Sequence, residues 1–200
     1  MSKMNTEKRN PKIRKLFLNH ETLRALTAAV VLLGAAHKAE ARLVFWAVNA
    51  ASCIPGDPAI QGNRYTIGAG SVFNSSTNTS LITLYCPMAP ISWALGAVDL
   101  TTCVPNSLDV TYIDSDGTST GTFVDAQIIN MDESDGSIWT VATFLSDNFP
   151  DTTVTQHSVT FTGGFIFTPS AYVRIDMQRS STSQNSQIYQ VAISGTGPGC

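Results

Sequence analysis

The sequence predicts an all-β protein, an antiparallel β-sandwich of jelly-roll-like design that follows an N-terminal export segment. Past residue 41 the chain has no lysine and a single glutamate, Glu133, so two good helix formers are almost absent. In their place stand short runs rich in Val, Ile, Thr, Tyr and Phe, the side chains that fit a pleated, half-buried surface. Clusters of Gly, Asn, Asp and Ser separate these runs at short intervals, as turns separate strands.

The first element is the export segment. Lys3, Lys8, Arg9, Lys12, Arg14, Lys15 and Arg24 stand against Glu7 and Glu21, and an apolar run over 25–36 follows. A membrane-spanning helix needs about 20 apolar residues, so this shorter run reads as the core of a signal peptide. Ala39-Glu-Ala41 supplies the small residues of a cleavage site, which places a signal peptide over 1–41 and one secreted domain over 42–200. Two alternatives stay open: a cut after Ala50, and a lipid anchor on Cys53 in Ala50-Ala-Ser-Cys53. With no twin arginine, the segment implies Sec-type bacterial export, to the periplasm, the cell surface or the medium.

Strands are expected over 64–73, 80–85, 93–98, 108–113, 122–129, 137–145, 158–167, 172–178 and 187–193. Asp116-Gly117 and Asp135-Gly136 read as hairpin turns. Thr162-Gly-Gly164 reads as a bend inside its strand. Side chains alternate faces along a strand. Over 172–178, Val173, Ile175 and Met177 therefore point to the core, and Tyr172, Arg174, Asp176 and Gln178 point out. Over 187–193 the same rule sends Tyr189, Val191 and Ile193 inward.

All four cysteines follow the export segment, and an even count in an exported chain reads as two disulfides. Cys53 precedes the first expected strand and Cys200 follows the last. Antiparallel pairing of those strands would join Cys53 to Cys200 and leave Cys86 with Cys103. The main rival is Cys53–Cys86 with Cys103–Cys200. One histidine after residue 41 and no Cys-x-x-Cys argue against a zinc site.

The body carries four arginines against eleven aspartates and one glutamate, a net charge of −8. An acidic body disfavours nucleic acid, whose phosphates need a basic face. It suits cations or neutral partners such as glycans. Trp93, Trp139 and Tyr172 are candidate sugar platforms, with Arg174 and Asp176 on the face of Tyr172. The competing expectation is that both tryptophans fill the core. Asp114, Asp116, Asp132 and Asp135 offer clustered oxygens for calcium, although neither aspartate run completes an EF-hand loop. Otherwise no cofactor is expected. His157, the one base available to a serine nucleophile, lies in no catalytic motif, and no Gly-x-Ser-x-Gly is present. It reads as a polar strand-edge residue, and no catalytic residue is assigned. Asn74-Ser-Ser and Asn78-Thr-Ser match the N-glycosylation pattern, which matters only in a eukaryotic secretory route.

Cys53-Ile-Pro-Gly-Asp, Ala69-Gly-Ser-Val-Phe-Asn74 and Leu81-Ile-Thr-Leu-Tyr-Cys-Pro87 resemble a class of uncharacterised secreted bacterial β-proteins. These carry an early cysteine and then a strand that ends in Cys-Pro. The resemblance covers 53–87, with a looser echo in 172–193. It implies export and a disulfide-bonded β fold, and no activity. Together these readings lead to an exported, non-catalytic β-sandwich, a cell-envelope or carbohydrate-binding module. A structural or assembly subunit of a surface layer or appendage is one alternative, and a secreted hydrolase is another.

Overall fold

Two antiparallel sheets face each other across an apolar core in a computed structural model that describes residues 42–88, 103–162, 170–197 and 200. The strands are β1 (Arg42–Asn49), β2 (Ile54–Pro55), β3 (Tyr65–Gly68), β4 (Ser71–Asn74), β5 (Ile82–Pro87), β6 (Val104–Asp114), β7 (Phe123–Met131), β8 (Ile138–Leu145), β9 (Thr155–Thr160), β10 (Tyr172–Gln178) and β11 (Ser186–Thr196). One sheet runs β3-β4-β11-β6-β9, with β1 also paired to β11, and the other runs β2-β5-β10-β7-β8. The described residues belong to one compact unit spanning 40–200. The expected export segment, the strand expected over 93–98 with Trp93, and most of the expected bend at 162–164 lie outside the described residues.

The expected β-sandwich is present, and strand alternation builds its core. Val173, Ile175 and Met177 of β10 are fully buried, as are Ile82, Leu84 and Cys86 of β5 to within 1%. Leu108, Val110 and Tyr112 of β6 meet them from the other sheet, and Tyr112 packs edge-on against Phe144 of β8 at 5.1 Å. Each fully buried Ile, Leu or Phe contributes about 1.5–3 kcal/mol.

Four expectations need correction. The span 64–73 is a hairpin and not one strand: Ala69 and Gly70, both at positive φ, turn β3 into β4. Asp116-Gly117 is no hairpin turn, because it leads from β6 in one sheet to β7 in the other; Asp135-Gly136 does close the β7–β8 hairpin. In β11 a bulge follows Ile188, so Ile188, Val191 and Ile193 are the buried set and Tyr189 is not. One extra residue reverses the faces beyond it.

The fourth correction concerns the disulfides, which are Cys53–Cys86 and Cys103–Cys200. The pairing of Cys53 with Cys200 and Cys86 with Cys103 fails because β1 takes the place beside β11. Cys53 comes after that strand and opens β2, whose Ile54 pairs with Tyr85 of β5, next to Cys86. Cys103 enters β6 and Cys200 follows β11, and β6 and β11 are antiparallel partners with Val104 opposite Thr196.

Candidate functional site

The outer face of the five-stranded sheet carries Tyr172, Arg174 and Asp176, three of the five side chains named from the sequence for a ligand. Register places Tyr85, Arg174 and Gln127 in one row across β5, β10 and β7, and Thr83, Asp176 and Asp125 in the next row. Tyr172 lies one step along β10, opposite Pro87 and Ile129. Its ring meets Tyr85 edge to face, with centroids 5.6 Å apart and planes at 74°. Across the sheet edge, Ile54 of β2 pairs with Tyr85 and is largely exposed.

The polar part of this face is held by a chain of local devices. Asp57 caps a one-turn helix, α1 (Pro58–Gln61), by accepting from the backbone N–H groups of Ala59 at 3.0 Å and Ile60 at 3.2 Å. Proline at the first helical position suits that start. The turn delivers Gln61 Oε1 to the backbone N–H of Thr83 at 3.0 Å, where β2 has already ended. Thr83 Oγ1 donates to Asp176 Oδ1 at 2.6 Å, and the other Asp176 oxygen receives Arg174 Nη2 at 2.8 Å. Gly56 lets the Tyr85 ring settle, because a Cβ there would stand 3.0 Å from Tyr85 Cε2. Asp125, opposite Asp176, is pushed up to about 6 by burial and then by the charges of Asp147 and Asp176.

Tyr172, Arg174 and Asp176 therefore come together as expected. Trp139 does not join them. It pairs with Asn130, so it projects from the sheet face opposite to Tyr172. Tyr85, Thr83 and Gln127 belong to the face and were not singled out. The signal that finds them is alternation: Thr83, Tyr85 and Pro87 interleave with buried Ile82, Leu84 and Cys86.

The two aspartate runs named for a cation, Asp114 with Asp116 and Asp132 with Asp135, lie at opposite ends of β7. Asp132 and Asp135 cap their exposed turn, accepting from the backbone N–H groups of Ser134 and Ser137 at 2.8 Å each. These bonds hold both carboxyls below the usual range. Asp114 is fully buried, accepts from Ser146 Oγ at 2.6 Å, and has Asp116 and Asp147 beside it. Burial first, and the neighbouring Asp116, push Asp114 up to about 7. Among the described residues, no group of three His, Cys, Asp or Glu side chains is arranged to hold a metal ion. His157 sits on edge strand β9, with Nε2 2.6 Å from Asp151 Oδ2 and its ring stacked 3.9 Å from that of Phe149. Asn74 is buried and accepts from Ser186 Oγ, so the folded chain does not offer it for glycosylation.

No family model and no curated protein matches the chain. Among solved structures it is similar to a truncated AlyQ with CBM32 and alginate lyase domains, over 79% of this chain and 34% of that one, at 17% identity and a TM-score of 0.39. It is similar to a family 29 carbohydrate-binding module complexed with cellulohexaose, over 80% and 93% of the two chains, at 11% identity and a TM-score of 0.34. The CBM32 of AlyQ in complex with 4,5-unsaturated mannuronic acid gives 74% and 97%, at 18% identity and a TM-score of 0.32. The chain thus spans about a third of the length of the first of these proteins. No helix among the described residues is long and apolar enough to cross a membrane.

Proposed function

We propose that this protein is a non-catalytic carbohydrate-binding module, exported by the bacterial Sec route, that holds sugar on the outer face of its five-stranded sheet. The observation that carries the reading is the Tyr85–Tyr172 pair beside the Arg174–Asp176 ion pair on one solvent-facing surface. A pyranose has an apolar C–H face and a rim of hydroxyls. The first stacks on an aromatic ring, and the second needs planar donors and acceptors fixed beside it. Binding sites generally combine apolar contact with a few placed polar groups. Two disulfides suit an oxidising compartment outside the cytoplasm.

The test is retention of the oxidised protein on a panel of polysaccharides, for the parent and for Tyr172→Ala and Tyr85→Ala. The expected result is retention of the parent and loss of about tenfold or more in affinity for each variant, with unchanged thermal unfolding. No retention of the parent on any polysaccharide, or equal affinity in both variants, would overturn the reading.

A further inference from the structure

We infer that the face around Tyr172 takes a single, uncharged polysaccharide chain and discriminates against anionic glycans and crystalline surfaces. This rests on the carbohydrate-binding reading and narrows it to a substrate class.

Ring geometry argues against a flat ligand. A crystalline polysaccharide offers one plane, and several rings must lie parallel to that plane to grip it. Tyr85 and Tyr172 stand at 74° to each other, so both cannot lie flat on one plane. A free chain can turn its successive sugars to meet them.

Charge argues against an anionic ligand. Arg174 is the cation of this face among the described residues, and Asp176 already holds it at 2.8 Å. Asp125 adds a second carboxylate opposite Asp176. The body's other arginines are committed elsewhere. Arg42 is bound to Asp109, Arg179 is buried against backbone carbonyls, and Arg64 donates to the Leu81 carbonyl at 3.1 Å. A uronate or sulfate would meet a face with more carboxylate than free guanidinium, on a body of net charge −8.

What remains suits hydroxyls. Arg174 and Gln127 in one row and Asp176 and Asp125 in the next set donors and acceptors across two adjacent strands, with buried Thr83 of β5 holding Asp176 in place. Neighbouring strands lie about 4.8 Å apart, the scale of one pyranose ring.

The experiment is affinity electrophoresis of the oxidised protein through gels holding soluble neutral chains (glucomannan, galactomannan, xylan and hydroxyethylcellulose) or anionic ones (alginate and polygalacturonate). Pull-down on microcrystalline cellulose completes the panel. The expected result is retardation by at least one neutral chain, changed less than about twofold between low and high salt, because no ion pair forms across the interface. Asp176→Asn, which frees the guanidinium, should gain retardation by alginate or polygalacturonate while its melting curve stays cooperative. Binding only to anionic chains, weakened by salt, would overturn the class assignment and leave carbohydrate binding standing. Binding only to crystalline cellulose would do the same. Binding to nothing in the panel would overturn both.

Discussion

Arg42 and Asp109 are joined across an intervening strand. The first lies on β1 and the second on β6, and both strands flank β11. Arg42 Nη2 bridges to Asp109 Oδ1, while Arg42 Nε donates to Ser194 Oγ of β11 at 2.8 Å. Ser194 in turn donates to Asp109 Oδ2 at 2.6 Å, and Ser158 of β9 donates to Asp109 Oδ1 at 2.5 Å. One buried carboxylate thus ties together four strands of the six-stranded sheet.

Removing that carboxylate leaves the Arg42 guanidinium and the hydroxyls of Ser107, Ser158 and Ser194 without their acceptor. Asp109→Ala should cost about 3 kcal/mol of folding stability, and Asp109→Asn less. Equilibrium denaturation in urea checks this. A loss below about 1 kcal/mol would mean the network is worth no more than an exposed ion pair.

The same contact bears on processing. Arg42 directly follows Ala39-Glu-Ala41, the small residues expected to form a cleavage site. A cut after Ala50 would remove all of β1, including buried Phe45, and expose one side of β11. If the proposed export takes place, N-terminal sequencing of the mature protein should read Arg42 as its first residue. A chain starting at residue 51 should show no cooperative melt. Recovery of a folded protein that starts there would refute this.

The two disulfides should differ in weight. Cys103–Cys200 closes a separation of 97 residues and Cys53–Cys86 one of 33. On the chain-entropy model these correspond to about 4.7 and about 3.8 kcal/mol. The Cys103→Ser/Cys200→Ser pair should therefore melt below the Cys53→Ser/Cys86→Ser pair. Peptide mapping under non-reducing conditions reads the connectivity directly.

How much of this is legible in the sequence depends on whether alternation runs unbroken. Over 172–178 it does, so the buried Val173, Ile175 and Met177 and the outward Tyr172, Arg174 and Asp176 are all readable. Around Tyr189 a bulge breaks it, and no local residue announces the slip. The strand over 42–49 hides beside the apolar run over 25–36, and missing it misplaces Cys53 relative to the sheet and so both disulfides. Trp139 is readable as an aromatic on a strand. Its face depends on the β7–β8 register, including an irregularity after Ile128 that propensity cannot supply.

Arg179 shows a buried charge held, among the described residues, by backbone carbonyls. It is 6% exposed, and its donors reach the carbonyl oxygens of Asn78 at 2.7 Å, Ser75 at 2.6 Å, Ser76 at 2.9 Å, Thr182 at 3.3 Å and Gln184 at 3.1 Å. A lysine has one nitrogen and cannot span that fork. Arg179→Lys should cost about 2 kcal/mol or more and loosen the 75–78 turn. Hydrogen exchange localised to that turn and to 180–185 checks it. Unchanged protection would show the clamp is incidental.

Acidity should stabilise this protein between neutrality and about pH 5. Burial pushes Asp114 from 3.8 up to about 7, and Asp125 from 3.8 up to about 6. Burial also raises Asp147. Between the unfolded values and these folded ones, the native state holds protons that the unfolded chain has released. Stability therefore falls as pH rises through that window and is regained on acidification. Asp132 and Asp135 act oppositely, but they are exposed and matter only below the ordinary carboxylate range. The melting temperature should rise by about 3–6 °C from pH 8 to pH 5. Asp114→Asn, which mimics the protonated acid, should raise the pH 8 value and flatten the slope. A melting temperature that falls steadily over this range in the parent protein would show that the buried aspartates do not govern its titration.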